Sequence, residues 1–209
     1  LQSKFDVMLP DSEDSMSITL NLPGRHNVLN ALAAIAVAYE LGVEQEAIKT
    51  ALKNFAGIGR RMQMYGDIKI PAGTITMVDD YGHHPTEVAA TLQAARSSWP
   101  DRRLVVVFQP HRYSRTQDLF EDFTSVLADV DVLLISEVYA AGEQPVSGAD
   151  ARSLCAAIRQ RGKVNPIFVE DIDAVENELV SVLQDGDVLL TLGAGSIGRV
   201  ASELPQKLG

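Results

Sequence analysis

At 209 residues, with 46% hydrophobic and 22% charged, the chain has room for one generous soluble domain, or one domain plus part of another. A formal net charge of −10 argues against sequence-independent nucleic-acid binding, which needs a basic footprint, yet leaves room for a local basic pocket around a small anion. The single cysteine, Cys155, excludes an internal disulfide and fits a reducing, cytoplasmic setting.

The opening LQSKFDVMLPDSEDS lacks the basic start and apolar middle of a signal peptide. No apolar run approaches the roughly 20 residues that span a bilayer. The first residue is Leu1 rather than Met, as expected of a piece of a longer protein. SITLNL (17–22) alternates like a short strand. NVLNALAAIAVAYELG then carries apolar residues at helical spacing and stops at Gly42, and a second helix is expected over Gln45–Asn54. FAGIGRR (55–61) mixes glycines with basic residues and breaks the periodicity, which marks a domain boundary.

Beyond it the pattern becomes strand–helix alternation. GTITMVDD, RLVVVFQ, VDVLLIS, NPIFVE and DVLLTLG read as strands. Helices are expected over Thr86–Trp99 and Ser114–Ala128, near Ala149–Gln160 and Asp171–Leu183, and from Ile197. Cys155 lies on one of these helices as a small buried hydrophobe. Continuous apolar strands between helices predict an α/β fold with a Rossmann-like, doubly wound, mostly parallel sheet. Ligands should gather at the carboxyl ends of its strands.

Polar and ionisable groups concentrate at those ends: Asp79-Asp80-Tyr81-Gly82-His83-His84 after the first strand, Gln109-Pro110-His111-Arg112-Tyr113-Ser114-Arg115 after the second, Ser136-Glu137-Val138-Tyr139 after the third, and GAGSIG (193–198) after the fifth. Three of the four histidines sit at two of these ends, expected to be neighbours in the sheet, which favours function over a structural role. Metal binding is disfavoured, because His83 and His84 diverge if extended and no partner stands at a recognised spacing. Arg112 and Arg115 open a helix, where positive charge is unfavourable unless an anion is present. GAGSIG matches G-x-G-x-x-G, but the chain stops before the acidic residue that a dinucleotide site needs, so it reads as a tight strand-to-helix turn. A Walker loop, a G-x-S-x-G elbow and an H-E-x-x-H helix are missing from the sequence. The residues alone therefore describe an anion-binding cleft without a self-sufficient catalytic centre.

GRHNVLNALAA, GIGRRMQ, DDYGHHPTE, FQPHRYSRT and GAGSI, in this order, resemble the Mur ligases, with DDYGHHPTE and PHRYSRT pointing to the alanine-adding branch. The resemblance covers essentially the whole chain. It implies that residues 1–56 end a central ATPase domain and 57–209 form the Rossmann-like carboxyl-terminal domain. It further implies ATP, Mg2+, UDP-N-acetylmuramate and L-alanine as cofactors and substrates, with activation of the sugar carboxylate as an acyl phosphate. His26, Asn27, Asn30, Arg61 and Asp80 match nucleotide-binding positions. Tyr81, His83, Arg112 and Arg115 match positions near the alanine, with His83, Arg112 and Arg115 the catalytic candidates and no metal ligand among them. The Walker loop and the magnesium ligands of the family would precede this segment, which implies a truncated chain, inactive alone, with FAGIGRR as the hinge of domain closure. Two alternatives are the related ligase that recycles muramyl tripeptide and a non-catalytic α/β anion-binding domain.

Overall fold

The computed structural model describes residues 2–10 and 14–209. A small amino-terminal unit pairs strand β1 (Ser3–Met8) antiparallel with β2 (Ser15–Leu20) and adds helices α1 (Arg25–Glu40) and α2 (Gln45–Asn54). Met16, Ile18 and Leu20 alternate inward along β2, whereas Asn27, Ala31 and Ile35 recur every four residues on α1. Val7, Met16, Ile18, Ile35 and Ile48 close the small core. After α1 the chain reverses at Gly42, whose φ of 71° suits glycine in the usual helix-stop position.

The larger unit is built on a six-stranded sheet. It comprises β3 (Gln63–Ile70), β4 (Gly73–Asp80), β5 (Leu104–Phe108), β6 (Val132–Ser136), β7 (Ile167–Val169) and β8 (Val188–Leu192), in the spatial order β3-β4-β8-β5-β6-β7. All neighbours pair in parallel except β3, which runs antiparallel to β4 at one edge. Side chains on β5 alternate between faces. Val106 and Phe108 pack with α3 (Pro85–Ser98), α5 (Phe120–Leu127) and α6 (Ala151–Gln160), while Val105 and Val107 meet α7 (Val175–Val182) and α8 (Ile197–Lys207). Both faces are covered, which is why the strands read as unbroken apolar runs.

Three details depart from the sequence expectation. β1 and β3 are strands that it misses: SKFDVM and QMYGDIKI are polar-rich, and β3 is interrupted by an irregularity between Met64 and Gly66. The helix expected over Ser114–Ala128 is two helices, α4 (Tyr113–Asp118) and α5. Leu119 leaves the helical region between them (φ −115°, ψ 24°) and packs with Phe120 against the core. The chain-consecutive strands β4 and β5, expected to present neighbouring ends, are separated by β8.

Candidate active site

Because β8 inserts between β4 and β5, the turn Gly193–Gly198 emerges between the motifs DDYGHH and QPHRYSR. The turn is packed tightly. A Cβ on Gly195 would lie 2.6 Å from both the Gln109 side-chain oxygen and the Tyr139 ring root, and one on Gly198 would meet the Arg60 guanidinium at 2.5 Å. Gln109 in turn accepts the Ile197 N–H (2.9 Å) at the start of α8. GAGSIG thus acts as a close-approach turn, as its sequence predicts.

Arg60, which sequence reasoning passed over for Arg61, fastens the segment before β3 to this turn. Its Nε donates to Asp79 Oδ2 (2.8 Å) and its Nη2 to the Gly193 carbonyl (2.6 Å). Asp79 is fully buried, and its other oxygen accepts the Thr191 hydroxyl (2.6 Å). The next residues are tied as well: the Tyr81 N–H donates to the Arg60 carbonyl (2.7 Å), and the Met62 N–H to Asp80 Oδ2 (2.8 Å). Arg60 and Met62 both adopt positive φ, 60° and 46°, held by these contacts.

The five residues matched to the nucleotide, His26, Asn27, Asn30, Arg61 and Asp80, all line one cavity of about 770 Å³ between the small unit and α3. Leu20, Leu22, Ala31, Leu52 and Phe55 supply an apolar wall, and Arg61, Asp80, Thr86 and Glu87 a polar one. The size and the mixed lining suit a small-molecule site. Asn27 also fixes the start of α1, donating its amide to the Pro23 carbonyl (2.7 Å). Burial holds His26 below the ordinary imidazole range; Asp80 opposes this and Arg61 reinforces it. Burial likewise pushes the Asp80 carboxyl up, against the N–H groups of Met62 and Gly82, Arg61 and the Thr91 side chain.

Beside the cavity lies the second set. The Tyr81 and His83 rings meet edge-on (centroids 5.4 Å), His83 lies 5.8 Å from His111, and His111 stacks on Tyr139 at 5.4 Å. Tyr81 also lies under both Arg60 (5.2 Å) and Arg61 (5.8 Å). His84 turns away from His83 to cap α3, where its Nδ1 accepts the Thr86 N–H (3.3 Å). Of the two arginines at this helix start, Arg112 has an acidic partner within the chain, Glu143. Glu143 accepts the Ser114 N–H (3.0 Å) and hydroxyl (2.7 Å) and lies 3.4 Å from Arg112 Nη1. Arg115 instead turns to His111, donating to its carbonyl (3.0 Å) and lying 3.2 Å from its Nδ1. Burial and the nearby arginines and His83 keep His111 low, with Glu143 opposing. Glu143 stands 31 positions from Arg112, so no local spacing announces it.

A profile described as Mur ligase, glutamate ligase domain, matches residues 60–195. The chain belongs to the Mur ligase family. Over all 209 residues this Mur ligase chain is 60% identical to the UDP-N-acetylmuramate–L-alanine ligase of Methylococcus capsulatus, covering 44% of that protein. It is 59% identical to the same-named ligase of Neisseria gonorrhoeae, over 97% of the chain and 44% of the relative. The solved UDP-N-acetylmuramate–alanine ligase of Thermotoga maritima matches with a TM-score of 0.74 at 29% identity, over 92% of this chain and 42% of that one. A murein peptide ligase from Psychrobacter arcticus matches with a TM-score of 0.68 at 28% identity, over 99% of this chain and 42% of that one. The chain therefore spans less than half the length of these relatives.

Proposed function

We propose that the chain is the carboxyl-terminal part of an ATP-dependent, cytoplasmic UDP-N-acetylmuramate–L-alanine ligase of peptidoglycan precursor synthesis, and that it does not turn over alone. The observation that carries this reading is convergence. Five residues matched to the nucleotide line one cavity, and Tyr81, His83, Arg112 and Arg115 lie beside it, joined to it through the contacts of Glu87 with Arg61 (3.7 Å) and His83 (3.3 Å).

The cavity fits a nucleotide by its chemistry. Its apolar wall, with Phe55, suits a base, His26 and Asn30 offer polar edges, and Arg61 offers a guanidinium to phosphate oxygens. ATP supplies the phosphoryl group that activates the sugar carboxylate. Arg112 and Arg115 orient the alanine carboxylate, which competes with Glu143 for Arg112. His83 takes the proton from the alanine amine. By resemblance to the family, we assign the Mg2+ ligands mainly to the part of the ligase that precedes this segment. The contacts of Arg60 and Met62 tie the segment from residue 60 onward to the larger unit, so domain closure bends the chain at 55–59.

The test is a phosphate-release assay with UDP-N-acetylmuramate, ATP and amino acid. The full-length enzyme should require L-alanine, the 209-residue chain should give no turnover, and Arg61→Ala should raise the KM for ATP about tenfold or more, as expected for a lost charged contact. Preference for tripeptide over alanine, or turnover by the chain alone, would refute the reading.

A further inference from the structure

Glu87 reaches both halves of the site. Its Oε1 lies 3.7 Å from Arg61 Nη1 at the cavity, and its Oε2 accepts the N–H groups of His83 (3.0 Å) and His84 (3.2 Å). As the third residue of α3 it completes a capping box with His84, and that role needs only an acceptor oxygen, which glutamine would provide. The cap does not require a further contact, Oε2 to Nδ1 of the His83 ring at 3.3 Å.

That contact fixes a proton. His83 Nδ1 also lies 3.2 Å from the Tyr81 carbonyl oxygen. A carbonyl and a carboxylate have no hydrogen to give, so the nitrogen between them must carry one, and the neutral ring is left with its lone pair on Nε2. The other two histidines of the cluster are held the opposite way. His84 Nδ1 accepts the Thr86 N–H, and His111 Nδ1 faces the Arg115 guanidinium, so both carry the proton on Nε2. Only His83 among these three is left with an unprotonated Nε2. The charged and titratable groups facing it are Glu87 from α3, Tyr81 from its own loop, and His111 from the loop after β5. Arg61 stands behind Glu87, and Arg112 and Arg115 stand beyond His111.

Resting on the ligase reading above, we propose that Glu87 is a positioning residue: it holds His83 in the Nδ1–H tautomer, so that Nε2 is the base for the incoming amine. The amine proton passes to Nε2 as its nitrogen bonds to the acyl carbon, and phosphate departs with the electron pair of the C–O bond. The Glu87 carboxylate then faces the imidazolium across Nδ1–H, the arrangement in which a carboxylate orients a catalytic histidine.

Two measurements test this independently. In 15N spectra of the histidine-labelled 209-residue chain, neutral His83 should show a protonated Nδ1 and a bare Nε2, with the reverse at His84 and His111. Glu87→Ala, which leaves only the Tyr81 carbonyl at Nδ1, should raise the share of the Nε2–H form. Glu87→Gln, whose amide oxygen can stand in for Oε2 at both the cap and Nδ1, should keep the tautomer and lose only the negative charge that faces the imidazolium. In the full-length enzyme Glu87→Gln should lower kcat about tenfold to a hundredfold with KM values for ATP and alanine changed less than about threefold, and Glu87→Asp should recover part of the loss. Nε2–H as the main form of His83 in the unsubstituted chain, or a Glu87→Gln enzyme with undiminished kcat, would overturn the assignment. A full-length enzyme that adds no amino acid would overturn the ligase reading alone, because the His83 tautomer in the chain still decides whether Glu87 orients that ring.

Discussion

Replacing Arg60 with alanine perturbs the latch between the segment before β3 and the sheet. Asp79 is fully buried, and Arg60 Nε supports one of its oxygens at 2.8 Å while Nη2 supports the Gly193 carbonyl. Removing one member of a buried ion pair costs about 3–5 kcal/mol, because the remaining charge is stranded. The Arg60 side chain is 23% exposed, so water reaches part of the pair and the lower end applies, about 3 kcal/mol. With a urea slope of about 2 kcal/mol per molar, the midpoint should fall by about 1.5 M. Trp99, the single tryptophan, packs against the core of the larger unit, so its fluorescence follows that unit's unfolding. The double variant Arg60→Met with Asp79→Leu should recover more than half of the loss, since an apolar pair strands no charge. A midpoint shift below about 0.5 M for Arg60→Ala, or no recovery in the double variant, would refute the argument.

Other outcomes follow from the same structure. Gly195→Ala puts a methyl 2.6 Å from Gln109 and Tyr139 and should cost about 1–3 kcal/mol, read as a lowered urea midpoint; an unchanged midpoint would mean that the turn has slack. Burial pushes the Cys155 thiol up to about 11, so at pH 8 the folded chain should leave a thiol reagent unreacted for far longer than the urea-unfolded chain, and equal rates would contradict its burial. Burial raises Asp131, but the Arg96 side chain and the Leu104 N–H outweigh it and leave the carboxyl low. A lowered carboxyl stabilises the fold above its unfolded value of 3.8 and loses that contribution as pH falls through the folded one. Asp131→Asn should therefore destabilise at pH 7, and its urea midpoint should converge on the parent's as pH drops below 3.8; a constant gap would contradict this.

Much of this architecture is legible in the residues because the signals are local. Apolar runs such as LVVVF and VLLTL declare strands buried on both faces, and Gly42 and the DDYGHH segment mark where elements end. The site is partly legible for the same reason, since polar groups crowd the strand ends. What escapes is set by distant or half-polar partners. β3 exposes much of one edge strand, and its polar residues hide its period. Arg60 takes its meaning from Asp79, Gly193 and Gly198, up to 138 positions away in the case of Gly198, and Glu143 from a loop that folds back over Arg112. Nor does alternation of strands and helices state their order across the sheet, so the separation of β4 from β5 is invisible until β8 is placed between them.

The placement of β8 bears on how the chain is made. On a ribosome, β4 and β5 emerge long before Val188–Leu192, yet both take their shared neighbour from that late segment, as the Thr191–Asp79 bond across 112 positions illustrates. A strand in the middle of the sheet is therefore made after every other described strand, and contacts of such long range are slow to close. Until that strand arrives, the inner edges of β4 and β5 present unpaired backbone groups, the condition that invites wrong strand pairing in a nascent chain.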